Sequence, residues 1–198
     1  ISYRLVGSEM CIRDRKKAYI QYALKIFFTL LASTVIYSCS KGDDDPEEVN
    51  EQEVINRVSI VLSDGSTSQT VTWNEGSTPP AITLDVDKNY TASIYFYDAS
   101  DPTDVEDITE EVIEEDDEHY ILWEIAGLSD FLIASAANDV SGSDGIGINL
   151  VTDWSTGGAE SGNIKVTLIH EPANKTGTTR SSIGGETDIE LTFPTTVQ

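Results

Sequence analysis

The sequence predicts an all-β fold: a single antiparallel β-sandwich of about eight or nine strands with one short helix. Apolar and polar residues alternate in many short segments. Turn residues lie between these segments, at intervals of about 10–15 residues. Strands do not alternate regularly with helices, which argues against a parallel α/β sheet. Ig-like and transthyretin-like sandwiches are the candidate folds, and the Cys-Trp-Cys pattern of true immunoglobulin domains is absent.

The first half of the predicted sandwich contains four segments with strand character. Apolar residues recur at alternate positions in 54–62, and a Gly-containing turn at 64–67 leads into 70–73, which predicts a hairpin. A third strand is predicted at 82–86. The fourth, 90–97, is rich in the β-branched and aromatic residues that suit a pleated sheet.

An acidic segment then interrupts the strand pattern. Asp107 is a predicted helix N-cap, and Glu110, three residues later, would complete a capping-box-like pair. The apolar stripe of this helix would consist of Ile108, Val112 and Ile113. The sequence therefore predicts one short helix, or turns alone, crossing from one sheet edge to another.

Strand patterns resume in the second half of the domain. They are separated by glycine-containing turns and by one long loop that precedes the last strand. The predicted strands cover 119–125, 131–134, 148–154, 164–170 and 187–197.

The chain is strongly acidic, with 198 residues and a formal net charge of −23. From Cys39 onward, 6 Lys and Arg residues stand against 33 Asp and Glu residues. Such a balance repels nucleic acid and anionic lipid and attracts cations or basic partners. Cys11 and Cys39 are the only cysteines, so the predicted sandwich must be stabilised by packing without disulfides.

The segment before Cys39 has the pattern of an export signal. Basic residues precede an apolar run at 26–37, which is shorter than the roughly 20 apolar residues that a membrane-spanning helix needs. The run ends in Ile36-Tyr37-Ser38-Cys39, which resembles a bacterial lipobox, in which the cysteine becomes the lipidated first residue. Residues 16–38 are therefore predicted to form a lipoprotein signal peptide, with its signal helix, and Cys39 is the predicted lipidation site.

These patterns divide the chain into four segments. Residues 1–15 resemble translated sequencing-adapter read-through, and we expect them to be an artefact without structural meaning. The signal peptide of 16–38 follows. Residues 39–53 form a lipidated acidic tether, a flexible linker too polar to bury a core. Residues 54–198 form the β-sandwich domain.

Two histidines are the candidate metal ligands, because imidazole together with carboxylate suits zinc or copper. His170 lies at the end of the core-facing row of its strand, and His119 has the matching place at the start of another strand. Both can reach one rim of the sandwich. Glu118 and Glu171 adjoin them in sequence and complete the candidate set, whereas ordinary strand-end histidines in an acidic protein are the alternative.

Catalytic motifs are missing from the sequence. It contains no Gly-x-Ser-x-Gly, no P-loop and no dinucleotide-binding glycine pattern, so no catalytic residue is predicted and the protein is expected not to be an enzyme. A loop at 139–147 has calcium-loop composition, but Leu150 stands where the bidentate glutamate is required. The three tryptophans are expected in the core rather than on a sugar-stacking platform.

From Cys39 onward the chain resembles a group of small, hypothetical Bacteroidota outer-membrane lipoproteins. The resemblance lies in the acidic tether and in four short segments, at 107–111, 118–119, 168–172 and 185–190. Some members carry the label "type 1 periplasmic binding fold", which would imply a much larger α/β protein. The resemblance implies an accessory role in the envelope and transfers no catalytic residue.

Together these observations predict a non-enzymatic binding or accessory module, attached to the outer membrane by lipid and facing either the cell surface or the periplasm. In its sharper form, the module captures a divalent metal, zinc or copper, for an outer-membrane transporter or another envelope protein. The alternative from another class is a structural or adhesive surface module that binds protein or glycan. Nucleic acid is not an expected partner.

Overall fold

The computed structural model of the chain describes residues 53–198. The predicted signal peptide, Cys39 and the tether up to residue 52 lie outside the described residues. The described part contains ten strands and two short helices. In chain order they are β1 (Arg57–Ser63), β2 (Ser68–Asn74), β3 (Ile82–Leu84), β4 (Asn89–Asp98), β5 (Glu106–Asp107), α1 (Ile108–Glu114), β6 (His119–Ala126), β7 (Phe131–Ser135), β8 (Val151–Thr156), β9 (Glu160–His170), α2 (Arg180–Ile183) and β10 (Glu186–Val197).

The strands form two sheets, which confirms the all-β sandwich. One sheet has the order β2-β1-β4-β8-β7, with β5 paired to β4, and the other has the order β3-β10-β9-β6. All pairings are antiparallel except that of β3 with β10, which is parallel. The prediction of a wholly antiparallel sandwich was therefore wrong at this one edge.

Inward-facing side chains of both sheets form one hydrophobic core. Trp154, Phe96 and Phe193 are its largest fully buried members, and burial of each such side chain contributes about 1.5–3 kcal/mol. Trp154 meets the rings of Trp123 and Phe131 edge-on, with centroids 5.4 and 5.6 Å apart. These tryptophans therefore pack in the core, as expected from the alternation.

Helix α1 follows the predicted cap but buries a narrower face than predicted. The Asp107 side chain accepts a hydrogen bond of 3.1 Å from the backbone N–H of Thr109. Ile108 and Val112 are buried in the core, whereas Ile113 is 39% exposed. The predicted stripe was wrong at Ile113, because a seven-residue helix lying on the core turns that position toward solvent.

A second helix, α2, lies in the segment that the sequence predicts as a plain loop. Thr179 caps it, and Ile183 packs with Tyr120, Leu122 and Ile169 in a small separate cluster on the outer side of the β6–β9 pair. Neither α1 nor α2, the helices of the described part, is long and apolar enough to cross a membrane. The cluster covers the outer face of the sheet at the end where β6 begins and β9 ends.

The loop before β8 is organised by one carboxylate. Asp139 accepts hydrogen bonds from the backbone N–H groups of Asn149 and Val151, at 2.7 and 2.9 Å, and from the hydroxyl of Ser135 at 3.0 Å. Its oxygens thus act as acceptors for the protein's own donors. This arrangement agrees with a structural turn rather than a calcium loop.

Candidate metal centre

The structure brings the two histidines together. Strands β6 and β9 are antiparallel, and their register sets His119 directly opposite His170. The two ring centroids are 4.8 Å apart, and the ring planes are inclined by 55°. Metal–imidazole bonds are about 2 Å long, so this separation suits a shared ion. The pair lies at one end of the sandwich, which we call the histidine end.

His119 is fully buried, and its surroundings fix its proton arrangement. Nδ1 lies 3.2 Å from the backbone carbonyl oxygen of Glu115, at the end of α1. A carbonyl only accepts, so Nδ1 carries a proton, and Nε2 is the nitrogen that a metal ion would bind in place of a proton. Backbone support of this kind is typical of metal-ligating histidines.

Nε2 of His119 faces the carboxylate of Glu53. Glu53 Oε1 lies 2.9 Å away, which is ion-pair distance. Nε2 of His119 and Oε2 of Glu53 are both buried and have no hydrogen-bond partner within residues 53–198. Glu53, which the sequence assigned to the tether, therefore has a buried side chain, only 4% exposed.

Glu53, His119 and His170 form a compact set of potential ligands, which we call the inner set. Each offers one ligand atom, and these atoms all lie within 4.8 Å of one another. His170 is 7% exposed, and its Nδ1 is also buried without a hydrogen-bond partner in the described part of the chain. Each of the three residues thus has a buried polar atom that lacks a hydrogen-bond partner in the described part of the chain.

Asp188 adds a further carboxylate near the inner set. It occupies a β-bulge, where the register of β10 on β9 shifts between Thr187 and Ile189. Its Oδ2 is buried and lacks a hydrogen-bond partner among residues 53–198. Burial and the charge of Glu53 raise the pKa of Asp188 to about 6, although the two histidines oppose this shift.

Glu118 and Glu171, the two predicted carboxylates, belong to a second set. With His170 they offer ligand atoms within 4.8 Å of one another, and both carboxylates are exposed. Nε2 of His170 lies 3.8 Å from Oε2 of Glu118. We call Glu118, His170 and Glu171 the outer set. The four predicted residues are therefore divided between two sets that share His170: His119 lies in the inner set, and the two glutamates lie in the outer set.

Negative charge dominates the surroundings of the inner set. Burial lowers the pKa of His119, but the carboxylate of Glu53, the carbonyl of Glu115 and the charge of Asp188 outweigh it, so the pKa is raised overall. Burial, with the charges of Glu53 and Glu115, also raises the pKa of Glu111 on α1. The histidine end therefore favours a bound cation, either a proton or a metal ion.

Sequence reasoning missed Glu53 and Asp188. Glu53 lies in an acidic stretch where nothing distinguishes one glutamate from its neighbours. The alternation of the last strand places Ile189, Leu191 and Phe193 on one face, which would turn Asp188 outward. The bulge re-aims that side chain, and we know of no feature of the sequence that signals it.

Comparisons of the chain with protein-family models, with curated proteins and with solved structures give no match. The resemblance to Bacteroidota lipoproteins thus stays a prediction.

Proposed function

We propose that the domain binds a divalent transition metal, zinc or copper, through Glu53, His119 and His170. One observation carries the proposal: ligand atoms of the three side chains lie within 4.8 Å of one another, and each side chain has a buried polar atom that lacks a hydrogen-bond partner in residues 53–198. Such an atom costs about 1–3 kcal/mol when it is left unsatisfied. A single cation bonded to all three would remove these costs together.

The ligand types favour zinc or copper over calcium or magnesium. Imidazole nitrogen suits zinc and copper, whereas calcium and magnesium prefer shells of oxygen ligands. Two histidines and one glutamate leave room for a fourth ligand in a tetrahedral site, which water would supply. The fixed Nδ1–H of His119 keeps its Nε2 free for the ion.

The setting we propose for this site is the bacterial envelope, with the domain acting as a non-enzymatic accessory module that captures metal for an outer-membrane transporter. The lipobox-like sequence at Cys39 supports attachment to the outer membrane. Acyl chains contribute about 0.8 kcal/mol per buried CH₂ group, so two or more hold a protein firmly. Labelled fatty acid should enter the wild-type chain and not the Cys39→Ser variant; incorporation in neither would contradict the anchor.

Metal titration tests the site itself. We expect the purified full chain to bind one zinc or copper ion, and we expect replacement of both His119 and His170 by alanine to abolish this binding. Because that double variant removes buried rings, Glu53→Gln serves as a second variant that preserves size. An affinity unchanged in both variants would show that the histidine end is only a buried ion pair.

A further inference from the structure

His170 belongs to two groups of ligands at different depths. In the inner set, His119 and His170 are buried and Glu53 is partly buried as a residue. In the outer set, Glu118 and Glu171 are exposed to solvent. His170 itself is 7% exposed and lies between them. An imidazole has two nitrogens on opposite sides of its ring, so one ring can face both sets.

The two nitrogens of His170 differ in their surroundings. Nε2 faces the exposed Glu118 carboxylate at 3.8 Å, too far for a hydrogen bond. Nδ1 is buried and has no hydrogen-bond partner in residues 53–198. Neither nitrogen is therefore committed to a direct hydrogen bond with the groups described here, and both remain available to an ion.

A backbone hydrogen bond holds the two outer glutamates next to each other. The N–H of Glu171 donates a hydrogen bond of 2.7 Å to the carbonyl oxygen of Glu118. Glu171 also has a φ of 48°, a left-handed conformation that is uncommon for residues other than glycine and asparagine. Strained backbone of this kind concentrates at functional sites, and here it fixes the residue directly after His170.

We propose that Glu118, Glu171 and His170 form a capture position, at which an incoming zinc ion binds first before it passes to the inner set. This inference rests on the proposed function. Exposed carboxylates attract a hydrated cation to the Nε2 side of His170. The ion then moves to the buried side, where Glu53, His119 and the buried Nδ1 of His170 replace the outer ligands. A neutral imidazole has only one nitrogen lone pair, so His170 binds an ion through one nitrogen at a time. The two positions are therefore occupied in turn, and one chain holds one ion.

The proposal separates the rate of capture from the strength of binding. Glu118→Gln with Glu171→Gln should slow zinc association by roughly tenfold at 0.15 M salt, where screening acts over about 8 Å. The equilibrium dissociation constant should change by no more than about threefold, because Glu53, His119 and His170 hold the bound ion and exposed carboxylates add little to its binding. Stopped-flow mixing of the full chain with zinc and a competing chelator dye measures both.

A matched control removes two exposed carboxylates elsewhere. Asp85 and Asp87 are exposed, and Asp87 is bonded through its backbone to Gly157, beside the start of β9. His170 ends this 11-residue strand, so the control lies roughly 30 Å from the capture position. Asp85→Asn with Asp87→Asn should leave the association rate unchanged.

The outcomes distinguish this proposal from the one on which it rests. Slower association in the glutamate variant alone supports the capture position. An unchanged rate, equal slowing in the control, or two zinc ions bound per chain would overturn it and leave the inner site intact. Failure of the wild-type chain to bind zinc would overturn both.

Discussion

The two ends of the sandwich use carboxylates in opposite ways. At the end where β9 begins, Glu160 accepts hydrogen bonds from the backbone N–H groups of Ser129 and Asp130, at 2.7 and 3.1 Å. Asp130 in turn accepts one from Gly158 at 3.2 Å. The bond from Ser129 lowers the pKa of Glu160, and the smaller effect of burial opposes it. These carboxylates fasten loops.

At the histidine end, two carboxylates have a buried oxygen that no such donor reaches within residues 53–198. Glu53 and Asp188 each keep a buried oxygen without a hydrogen-bond partner in the described residues, and the pKa of Asp188 is raised rather than lowered. The contrast teaches that carboxylate content alone does not mark a ligand site. The two ends differ in what satisfies the carboxylate oxygens: at one end the protein supplies hydrogen-bond donors, and at the other a cation would have to bind them.

The largest expected effect is stabilisation by zinc at the histidine end only. Free zinc at about a thousand times its dissociation constant should raise the free energy of unfolding by about 4 kcal/mol. Glu53→Gln should reduce this gain by about 1.4 kcal/mol for each tenfold loss of affinity. Thermal unfolding with and without zinc measures it.

The matched control for this prediction is Glu160→Gln, at the opposite end. It should retain the full response to zinc, because the Glu160 side chain accepts hydrogen bonds from Ser129 and Asp130, in the loop before β7 and far from the inner set. Equal loss of the zinc response in both variants would erase the distinction between the ends.

The fold was largely predictable from the sequence, and the site only in part. Alternation of apolar residues fixes which face of a strand is buried, and the same rule placed His170 in the core-facing row and His119 at the matching strand start. Alternation fails where the register shifts, as at Asp188. One extra residue in a strand turns the neighbouring side chains to the opposite face of the sheet. Glu53 was missed because its burial depends on contacts with β6, distant in sequence, rather than on local pattern.

A second prediction compares one glycine at each end. Gly185 has a φ of 74°, and an added Cβ would meet the backbone carbonyl oxygens of His170 and Glu171. Gly185→Ala should cost about 2 kcal/mol or more, because the left-handed conformation alone costs about 1–2 kcal/mol. It should also weaken zinc binding by displacing His170. Chemical denaturation and zinc titration measure the two effects.

Gly157→Ala is the counterpart at the other end. There the three atoms nearest to the added Cβ belong to the side chain of Asp130, which can rotate away at the cost of its hydrogen bond from Gly158. We expect a cost of about 1 kcal/mol or less and unchanged zinc affinity. A greater cost for Gly157→Ala than for Gly185→Ala would show that the backbone around His170 is not rigid.

A third prediction concerns Asp188 in the metal-free protein. Its pKa is raised from 3.8 to about 6 in the folded state, so the folded chain binds this proton more tightly than the unfolded chain. Asp188 therefore destabilises the fold above pH 6, and this effect fades as the pH falls toward 4. With about 1.4 kcal/mol per pKa unit and partial screening, Asp188→Asn should stabilise the fold by about 1–2 kcal/mol at pH 7.5.

The measurement for Asp188 is denaturant unfolding in the presence of a chelator at several pH values. The stability difference between variant and wild type should shrink as the pH falls from 7 to about 4. A difference that is constant over this range would mean that the side chain acts through packing rather than charge.

The smallest expected effect has the opposite dependence on pH. The pKa of Glu160 is lowered in the folded state, so its carboxylate stabilises the fold above its unfolded pKa, and this contribution is lost as the pH falls through the folded pKa. Glu160→Gln should therefore lower the melting temperature slightly at neutral pH and have no effect in strong acid. Asp188→Asn raises stability at neutral pH, so the two variants should diverge in sign there and converge in acid. If both shifted stability in the same direction at pH 7.5, the carboxylates at the two ends would not differ in kind.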